Sequence, residues 1–407
     1  MGPHESRRSF LKTAAALALT VPPLSIPTAA LSAEPKPRMK ITDIRVVRHK
    51  LIKEVGSVEP AWALGTRTTF RIGGGSYLEI LTDQGLVGIG PEMATELLPV
   101  VKEQLVGKDP FDTEQHFTNL GLVTKPVSYR DRVCVDIALW DLVGKACGQP
   151  LYKLWGGGKD KVRAYASMIL LSNAEERARL ATELMCEGWK AIKLRLHHPT
   201  MQEDLRTVEA VRKAVGDKME IMADANQAAV RKGYVEWDFK RASDTARRLR
   251  ELNCSWLEEP LRRTDFTGLA ELSRSVEIPI AGGEGTRDLN EFVRMMKEDV
   301  FDIINPECLL IGVSGMRKVA ALAQLFGKQV VPHNGNYRIG MIAQLHLIAS
   351  CPHAPYIEIL HDPPIGSYLH NFAIFRDPPT LDKDGFLPVH QKPGLGVEID
   401  PDLIDRG

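Results

Sequence analysis

The sequence predicts an α/β protein in which an N-terminal α+β domain precedes a modified (β/α)₈ barrel. Eight short apolar runs alternate with helical stretches beyond Lys161, an order typical of a parallel barrel rather than an open sheet. Between residues 39 and 160, segments with strand character come first and helical segments follow. That order is typical of an α+β domain.

Residues 39–160 are assigned to the α+β domain because strand-type segments and turn signals occur there before any helical periodicity. The expected elements are strands at Ile41–Leu51, Ser76–Leu81 and Val87–Gly90, and helices at Leu97–Leu105 and Val133–Val143. Asp83-Gln84-Gly85 predicts a turn between the second and third strands. Gly156-Gly157-Gly158 then separates this domain from the barrel.

Residues 161–365 are assigned to the barrel. The runs assigned to its strands are 162–169, 191–196, 220–223, 256–257, 278–281, 301–304, 329–331 and 356–360. Helices are expected between them, for example at Ala174–Glu187 and Asp204–Val215. Residues 366–407 are rich in Pro, Gly and Asp, and we expect this segment to fold back on the first domain.

The composition excludes several classes of protein. A chain of 407 residues that is 44% hydrophobic can form a large core and is not a disordered protein. Lys+Arg and Asp+Glu both number 52, so the net charge is zero and no nucleic-acid partner is expected. The six cysteines form no CxxC pair or zinc-ligand spacing, which indicates buried thiols rather than disulfides.

Residues 1–33 have the organisation of a bacterial twin-arginine export signal. Arg7 and Arg8 precede Phe-Leu-Lys, and a short uncharged apolar run at 13–21 leads to small residues near position 30. The apolar run is shorter than the ~20 residues that span a bilayer. We therefore expect a periplasmic protein with no membrane partner in its mature form. A basic terminus that arose by chance is the alternative.

Ionisable and polar residues are concentrated where the predicted barrel strands end, and in a barrel this end carries the chemistry. These residues are Lys193, Arg195, Asp224, Asn226, Glu258, Glu284, Glu307, His333 and Glu358. Asp224, Glu258 and Glu284 follow three successive strands, so they would repel one another at low dielectric. Any one of them is explained more simply by pairing with a neighbouring Lys or Arg. Three together favour a divalent cation, and oxygen-only ligation favours Mg²⁺ over zinc.

Several motifs of this chain resemble those of the mandelate racemase subgroup of the enolase superfamily. They are Val135–Lys145 with Pro150 and Leu154–Gly157, then Met222–Gln227, Trp256–Pro260, Gly282–Glu284 and Pro332-His333. The resemblance implies that the first domain caps the barrel and that Asp224, Glu258 and Glu284 bind Mg²⁺. It also implies that a base removes the proton α to a substrate carboxylate while the metal stabilises the enediolate.

His333 is the expected base because a histidine pKa lies near neutrality, above all when a carboxylate orients the other ring nitrogen. A lone histidine in an apolar strand is otherwise a hydrogen-bonded core residue. Glu307 is the expected partner of His333, and Asn305 in Asn305-Pro306-Glu307 is the alternative. Glu358 would donate a hydrogen bond to the enediolate if protonated, or orient a polar neighbour if ionised.

The second barrel strand departs from the family, whose commonest motif there is Lys-x-Lys with the second lysine as an opposite base. This chain has Lys193-Leu194-Arg195. Arginine stays protonated, so Arg195 is a poor base but a good anion clamp, unless it only pairs with a metal-ligand carboxylate. Lys193, Arg195 and Asn226 are expected to contact substrate. The change argues against racemisation, which needs a base on each face.

One base remains, and it can return its proton to a departing β-hydroxyl. The prediction is therefore syn dehydration of a sugar acid, either an aldonate or an aldarate, to a 2-keto-3-deoxy acid by a lyase. The alternatives are an epimerase, racemase or lactone cycloisomerase on the same scaffold, and a non-catalytic sugar-acid-binding protein. We expect a homo-oligomer whose specificity is set by first-domain loops such as 55–75. His197, His198, His353 and His361 are expected in loops or at the surface, and His346 in the core.

Overall fold

The structure, a computed structural model, describes residues 38–123, 127–335 and 338–405. The chain from Met39 onward forms one compact unit. The predicted export signal at residues 1–33 lies outside the described residues.

Two small antiparallel sheets make up the first part of the chain. Their strands are β1 (Ile41–Arg48), β2 (Leu51–Val58), β3 (Thr68–Gly73), β4 (Ser76–Thr82) and β5 (Val87–Gly90). One sheet has the order β1-β4-β5, and β2 pairs with β3 in a hairpin. Across β1 and β4, Ile44 lies opposite Ile80, and both side chains are fully buried. The apolar face of this sheet therefore packs inward, as alternating strands do.

The single strand expected over 41–51 is interrupted after Arg48, and the β2–β3 hairpin was not expected. A triglycine turn explains the break, because the Gly74 amide donates to the Lys50 carbonyl and the His49 amide donates to the Gly75 carbonyl. Gly73 has φ of 74°, and a Cβ there would lie 2.2 Å from the Lys50 oxygen. Only glycine allows this approach, so residues 49–50 lie against the triglycine segment between β3 and β4, where pairing changes from β1 with β4 to β2 with β3.

Helices then cover the sheet of β1, β4 and β5. They are α1 (Leu98–Leu105), α2 (Thr113–Leu122), α3 (Tyr129–Ala146) and the short α4 (Leu151–Leu154). Helix α3 begins at a Ser128 cap whose side chain accepts the Asp131 amide. It packs so closely on β5 that a Cβ at Gly88 would lie 2.3 Å from the Ala138 carbonyl oxygen. This contact places α3 between the small sheet and the barrel.

The barrel contains eight parallel strands: β6 (Lys161–Ser167), β7 (Ala191–Arg195), β8 (Glu220–Asp224), β9 (Leu257–Glu258), β10 (Ile280–Gly282), β11 (Ile303–Ile304), β12 (Gln329–Val330) and β13 (Tyr356–Leu360). In the sheet they follow the order β12-β11-β10-β9-β8-β7-β6-β13. Each of the eight predicted strands is present at its expected position. The order of strands and helices confirms the predicted α/β class, with a small domain ahead of a barrel-type sheet.

One helix follows each of the first seven barrel strands. They are α5 (Ala174–Cys186), α6 (Met201–Val215), α7 (Phe239–Glu251), α8 (Phe266–Ser275), α9 (Leu289–Lys297), α10 (Cys308–Leu325) and α11 (Ile339–Ser350). Helix α6 starts earlier than expected because Thr200 and Glu203 form a capping box. Helix α10 is long and apolar enough to cross a membrane by composition, but it bends at Gly312, and more than half of it is buried against other elements.

The C-terminal segment contacts both parts of the protein. It contains the short helix α12 (Tyr368–Phe372) and strand β14 (Phe386–Pro388), which pairs antiparallel with β6 of the barrel. Further on, the Leu395 amide donates to Asp141 of α3, and Ile404 forms a β-bridge with His49. The segment thus joins the two parts along one side.

Asp136 of α3 links the first domain to the barrel. Its carboxylate accepts hydrogen bonds from the Ser314 amide at 3.0 Å and the Ser314 hydroxyl at 2.6 Å, just beyond the bend of α10. All three groups are buried, so no bulk water can replace a lost partner.

Replacing Asp136 with Ala should lower the free energy of unfolding by about 2–4 kcal/mol, because the Ser314 amide is left buried without an acceptor. Urea denaturation measures this loss. Asp384→Ala, an exposed control in the C-terminal segment, should change stability by less than about 0.5 kcal/mol. A loss below about 1 kcal/mol for Asp136→Ala would show that the link is dispensable.

Candidate active site

The three predicted metal ligands lie at one end of the barrel. Asp224 ends β8, Glu258 ends β9, and Glu284 follows β10 by two residues. In the parallel register Asp224 is opposite Glu258, which in turn is opposite Ala281. Asp224 and Glu258 are almost completely buried. The strand ends thus bring carboxylates to adjacent positions, as the barrel geometry requires.

Lys193 of β7 lies among these carboxylates. Its ammonium nitrogen is 2.9 Å from Glu258 Oε2, 3.5 Å from Asp224 Oδ2 and 2.8 Å from Glu358 Oε1. Burial alone would lower the pKa of Lys193, but the neighbouring carboxylates outweigh it and raise that pKa well above its ordinary value. Lys193 is therefore a fixed positive charge.

Arg195 has acceptors for each of its guanidinium nitrogens. Nε donates to the Met168 carbonyl at 2.8 Å, Nη2 donates to Ser167 Oγ at 2.9 Å, and Nη1 donates to Asp224. Nη1 also reaches the Asn226 side-chain oxygen at 3.1 Å. Arg195 thus pairs with a predicted metal ligand, one of the two roles considered for it. It also lines the site cavity.

His333 lies between two carboxylates. Its Nδ1–H donates to Glu307 Oε2 at 2.9 Å, and Nε2 is 3.3 Å from Glu284 Oε2. Burial would lower the pKa of His333, but Glu284, Glu307 and Glu358 outweigh it and raise that pKa well above the ordinary value. Asn305, the alternative partner, instead donates to the Val331 carbonyl. Glu307 therefore orients the imidazole.

Glu358 of β13 is ionised. Burial would raise its pKa, but Lys193, His333 and Arg195 outweigh it and hold the pKa of Glu358 well below its usual range. Its Oε2 accepts the Asn334 amide at 2.9 Å. Of the two roles considered for Glu358, this geometry corresponds to the ionised one, in which it orients polar neighbours.

The donor set fits Mg²⁺. Lys193, Arg195 and His333 contact five carboxyl groups, those of Asp224, Glu258, Glu284, Glu307 and Glu358, so the acidic groups outnumber the basic ones. Burial raises the pKa of Glu258 to about 7, against the effect of Lys193. Carboxylate oxygens are the ligands that Mg²⁺ prefers. Within the described residues, no three acidic, His or Cys side chains already surround one point as a metal site.

A cavity of about 300 Å³ opens on these groups. Its lining includes Arg195, Asn226, Glu284 and His333, together with residues that sequence reasoning missed: Trp62, Thr68 and Arg231. Trp62 and Thr68 lie in the first-domain segment expected to set specificity. Arg231 belongs to the segment between β8 and α7, and no motif marks it. The first domain and a barrel loop thus close the cavity together.

His197 and His361 lie in loops, one of the two places expected for them, but both are buried rather than at the surface. His197 is buried, its Nε2–H donates to Asn226 Oδ1 at 2.9 Å, and it packs edge-on against Tyr234. Burial lowers the pKa of His197 to about 4, so it is neutral. His361 is buried against Trp189. Both follow barrel strands directly, where the neighbouring loops cover them.

Two family matches cover most of the chain. Residues 54–156 match the mandelate racemase/muconate lactonizing enzyme N-terminal domain, and residues 176–403 match the enolase C-terminal domain-like family. The chain belongs to the mandelate racemase/muconate lactonizing enzyme family. The resemblance inferred from the sequence motifs is confirmed.

The relatives within this family are mostly dehydratases. Arabinonate dehydratase of Saccharolobus solfataricus is 30% identical over 79% of this chain and 87% of that protein. L-talarate/galactarate dehydratase of Salmonella typhimurium is 29% identical over 88% and 85%. D-glucarate dehydratase from Agrobacterium tumefaciens, solved with magnesium, has a TM-score of 0.77 and 27% identity, covering 91% of this chain and 100% of that one. Cycloisomerases and a racemase also occur. The prediction of an enzyme of the lyase type, with isomerases as the alternative, is confirmed.

Glu284→Gln should weaken Mg²⁺ binding by about 10–100-fold, because one of three anionic oxygen donors becomes neutral. Calorimetric titration of metal-free protein with Mg²⁺ measures the affinity. Glu298→Gln is the control, since Glu298 pairs with Arg294 on an exposed helix end, and it should bind Mg²⁺ normally. Equal affinity in both variants would remove Glu284 from the ligand set.

Proposed function

We propose that this protein dehydrates a sugar acid to a 2-keto-3-deoxy acid with the aid of Mg²⁺. The observation that supports this most directly is that, among the described residues lining the cavity, His333 alone is suited to take up and return a proton. Arg195 donates four hydrogen bonds within the protein and stays protonated. Dehydration by one base requires no second proton acceptor.

In this proposal neutral His333 takes the proton from the carbon α to the substrate carboxylate through Nε2; Mg²⁺ held by Glu284 would offset the carboxylate that does most to raise the pKa of His333. The bond between the β-carbon and its hydroxyl then breaks, and His333 returns the proton to that oxygen, which leaves as water. The resulting enol becomes the 2-keto acid. Because one group both removes and returns the proton, the two leaving groups depart from the same face. Glu307, 2.9 Å from Nδ1, keeps Nε2 directed into the cavity.

The charged groups around the carboxylate have distinct roles. Mg²⁺, when held by Asp224, Glu258 and Glu284, supplies the positive charge that stabilises the dianion developing on the substrate carboxylate. Lys193 stays cationic between Glu258 and Glu358 and contributes further positive charge. Arg195 orients the substrate opposite the base. These roles require no proton transfer from either Lys193 or Arg195.

Isomerisation on the same scaffold is the second candidate, because the relatives include D-galactarolactone cycloisomerase of Agrobacterium fabrum, 29% identical to this chain. An epimerase needs a second base on the opposite face, where this chain has Arg195. A cycloisomerase, like a dehydratase, needs only one base. Dehydration and cycloisomerisation are therefore distinguished by their products rather than by the number of bases. Release of a 2-keto acid supports dehydration, whereas loss of lactone without a keto acid supports cycloisomerisation.

His333→Asn should lower kcat for keto-acid formation by about 10²–10⁴-fold, because the general base is lost. Exchange of the α-proton with D₂O should fall equally. Arg195→Lys is the comparison: it keeps the charge but loses the planar fork, so KM should rise more than kcat falls. Keto-acid release and NMR exchange rates are measured with Mg²⁺ present.

Undiminished α-proton exchange in His333→Asn would show that another residue is the base. Arg195→Lys has a further diagnostic outcome. If it lowers Mg²⁺ affinity but leaves KM for the sugar acid unchanged, Arg195 serves the metal-ligand carboxylate rather than the substrate.

A further inference from the structure

Arg231 is a charged group in the active-site cavity that the proposed reaction does not use. It lies between β8 and α7 and is partly buried. It lines the same cavity as Glu284 and His333. Its Nη1 donates to the main-chain carbonyl of Trp62, which belongs to the loop between β2 and β3. A barrel residue thus holds the first-domain loop that covers the site.

The remaining edge of the Arg231 guanidinium has no acceptor. In the described part of the chain no carboxylate lies within 4.0 Å of it, and Nη1 makes its only hydrogen bond. Its Nε is buried without a partner. The Nε–Nη2 edge of an arginine matches the two oxygens of a carboxylate. A cation that lines a cavity without a carboxylate partner is a natural site for an anionic ligand group.

The other charged groups of the cavity are paired within the protein. Arg195 pairs with Asp224, and His333 lies between Glu284 and Glu307. Trp62 contacts both arginines, because its ring stacks on the Arg195 guanidinium at 4.7 Å while its carbonyl accepts from Arg231. Arg231 and Arg195 thus contact different parts of Trp62, and within the described residues Arg231 alone of these two arginines has no carboxylate partner.

We propose that Arg231 binds the distal carboxylate of the substrate, which makes the substrate class a sugar diacid (an aldarate) rather than an aldonate. The inference rests on the proposed function. One substrate carboxylate occupies the end of the cavity with the metal ligands and His333, and the second one pairs with Arg231 Nη2, the guanidinium nitrogen that is neither hydrogen-bonded nor buried among the described residues. An aldonate presents a neutral hydroxymethyl group there, which satisfies one hydrogen bond at most and leaves the positive charge unpaired.

A purely structural role is the alternative. Arg231 would then only fasten the loop of Trp62 to the barrel, and its loss would affect every substrate equally. Leu64 offers a matched control. Its Cδ1 lies 3.3 Å from the point where a Cβ on Gly233 would be, so it packs between the Trp62 loop and the segment that carries Arg231, but it does not line the cavity. Leu64→Ala loosens the loop and leaves the charge in place.

The experiment compares pairs of six-carbon sugar acids that share configuration and differ only at C-6, such as galactarate and galactonate or glucarate and gluconate. The Mg²⁺-loaded full chain is assayed for 2-keto acid. Wild type should prefer the diacid by at least about 100-fold in kcat/KM. Arg231→Met should lower kcat/KM for the diacid at least about 30-fold more than for the monoacid, chiefly through KM. Leu64→Ala should affect both acids by the same factor.

Affinities measured in parallel separate this inference from the proposed reaction. His333→Asn protein, which retains Arg231, is titrated with both acids by calorimetry. If no acid yields a keto acid but diacids bind more tightly than monoacids, the dehydration is wrong and the Arg231 assignment stands. If monoacids alone are dehydrated, the Arg231 assignment is wrong. It is also wrong if Arg231→Met lowers kcat/KM for the diacid and for the monoacid by the same factor. If neither class binds, both proposals are overturned.

Discussion

The site depends on one constraint: several carboxylates are buried together at the end of the barrel, and each needs a positive charge nearby. Lys193 meets this need for Glu258 and Glu358 and approaches Asp224. Separating buried charges from their partners costs several kcal/mol. The cluster therefore fixes the strand ends relative to one another before any ligand enters. The surplus of negative charge that remains is what a divalent cation can neutralise.

The first domain contributes to the site through a different set of contacts. Helix α3 fastens it to the barrel through Asp136 and Ser314. The loop around Trp62 covers the cavity and contacts both Arg195 and Arg231. The proposed proton transfer thus involves barrel residues, whereas two loops contribute Trp62, Thr68 and Arg231 to the rest of the cavity. Loops can vary without disturbing the buried cluster.

The barrel was predictable because its buried strands are short apolar runs with alternating helices, and the positions of the chemistry followed from the strand ends. Contacts that depend on neighbouring charges could not be predicted from the sequence. From the sequence, either Glu307 or Asn305 could be the partner of His333, and Glu358 could be protonated or ionised. These alternatives could not be decided because they depend on side chains that are distant in the chain. Arg231 and the burial of His197 depend on loop conformation, which carries no periodic pattern. The β2–β3 hairpin was missed because residues 41–51 resemble one long strand, and the triglycine segment that packs against residues 49–50 lies far along the chain, between β3 and β4.

The central claim is that proton chemistry occurs on the His333 face alone. Its most direct test is the configuration of unreacted sugar acid recovered from partial turnover in D₂O with Mg²⁺, determined by NMR and chiral chromatography. If His333 is the base on the only reactive face, 2-keto acid forms while the recovered acid keeps its original configuration at the α-carbon. Any deuterium is then incorporated with retention of configuration. Accumulation of the inverted epimer would contradict a mechanism confined to the His333 face, because inversion requires a second base on the face assigned to Arg195.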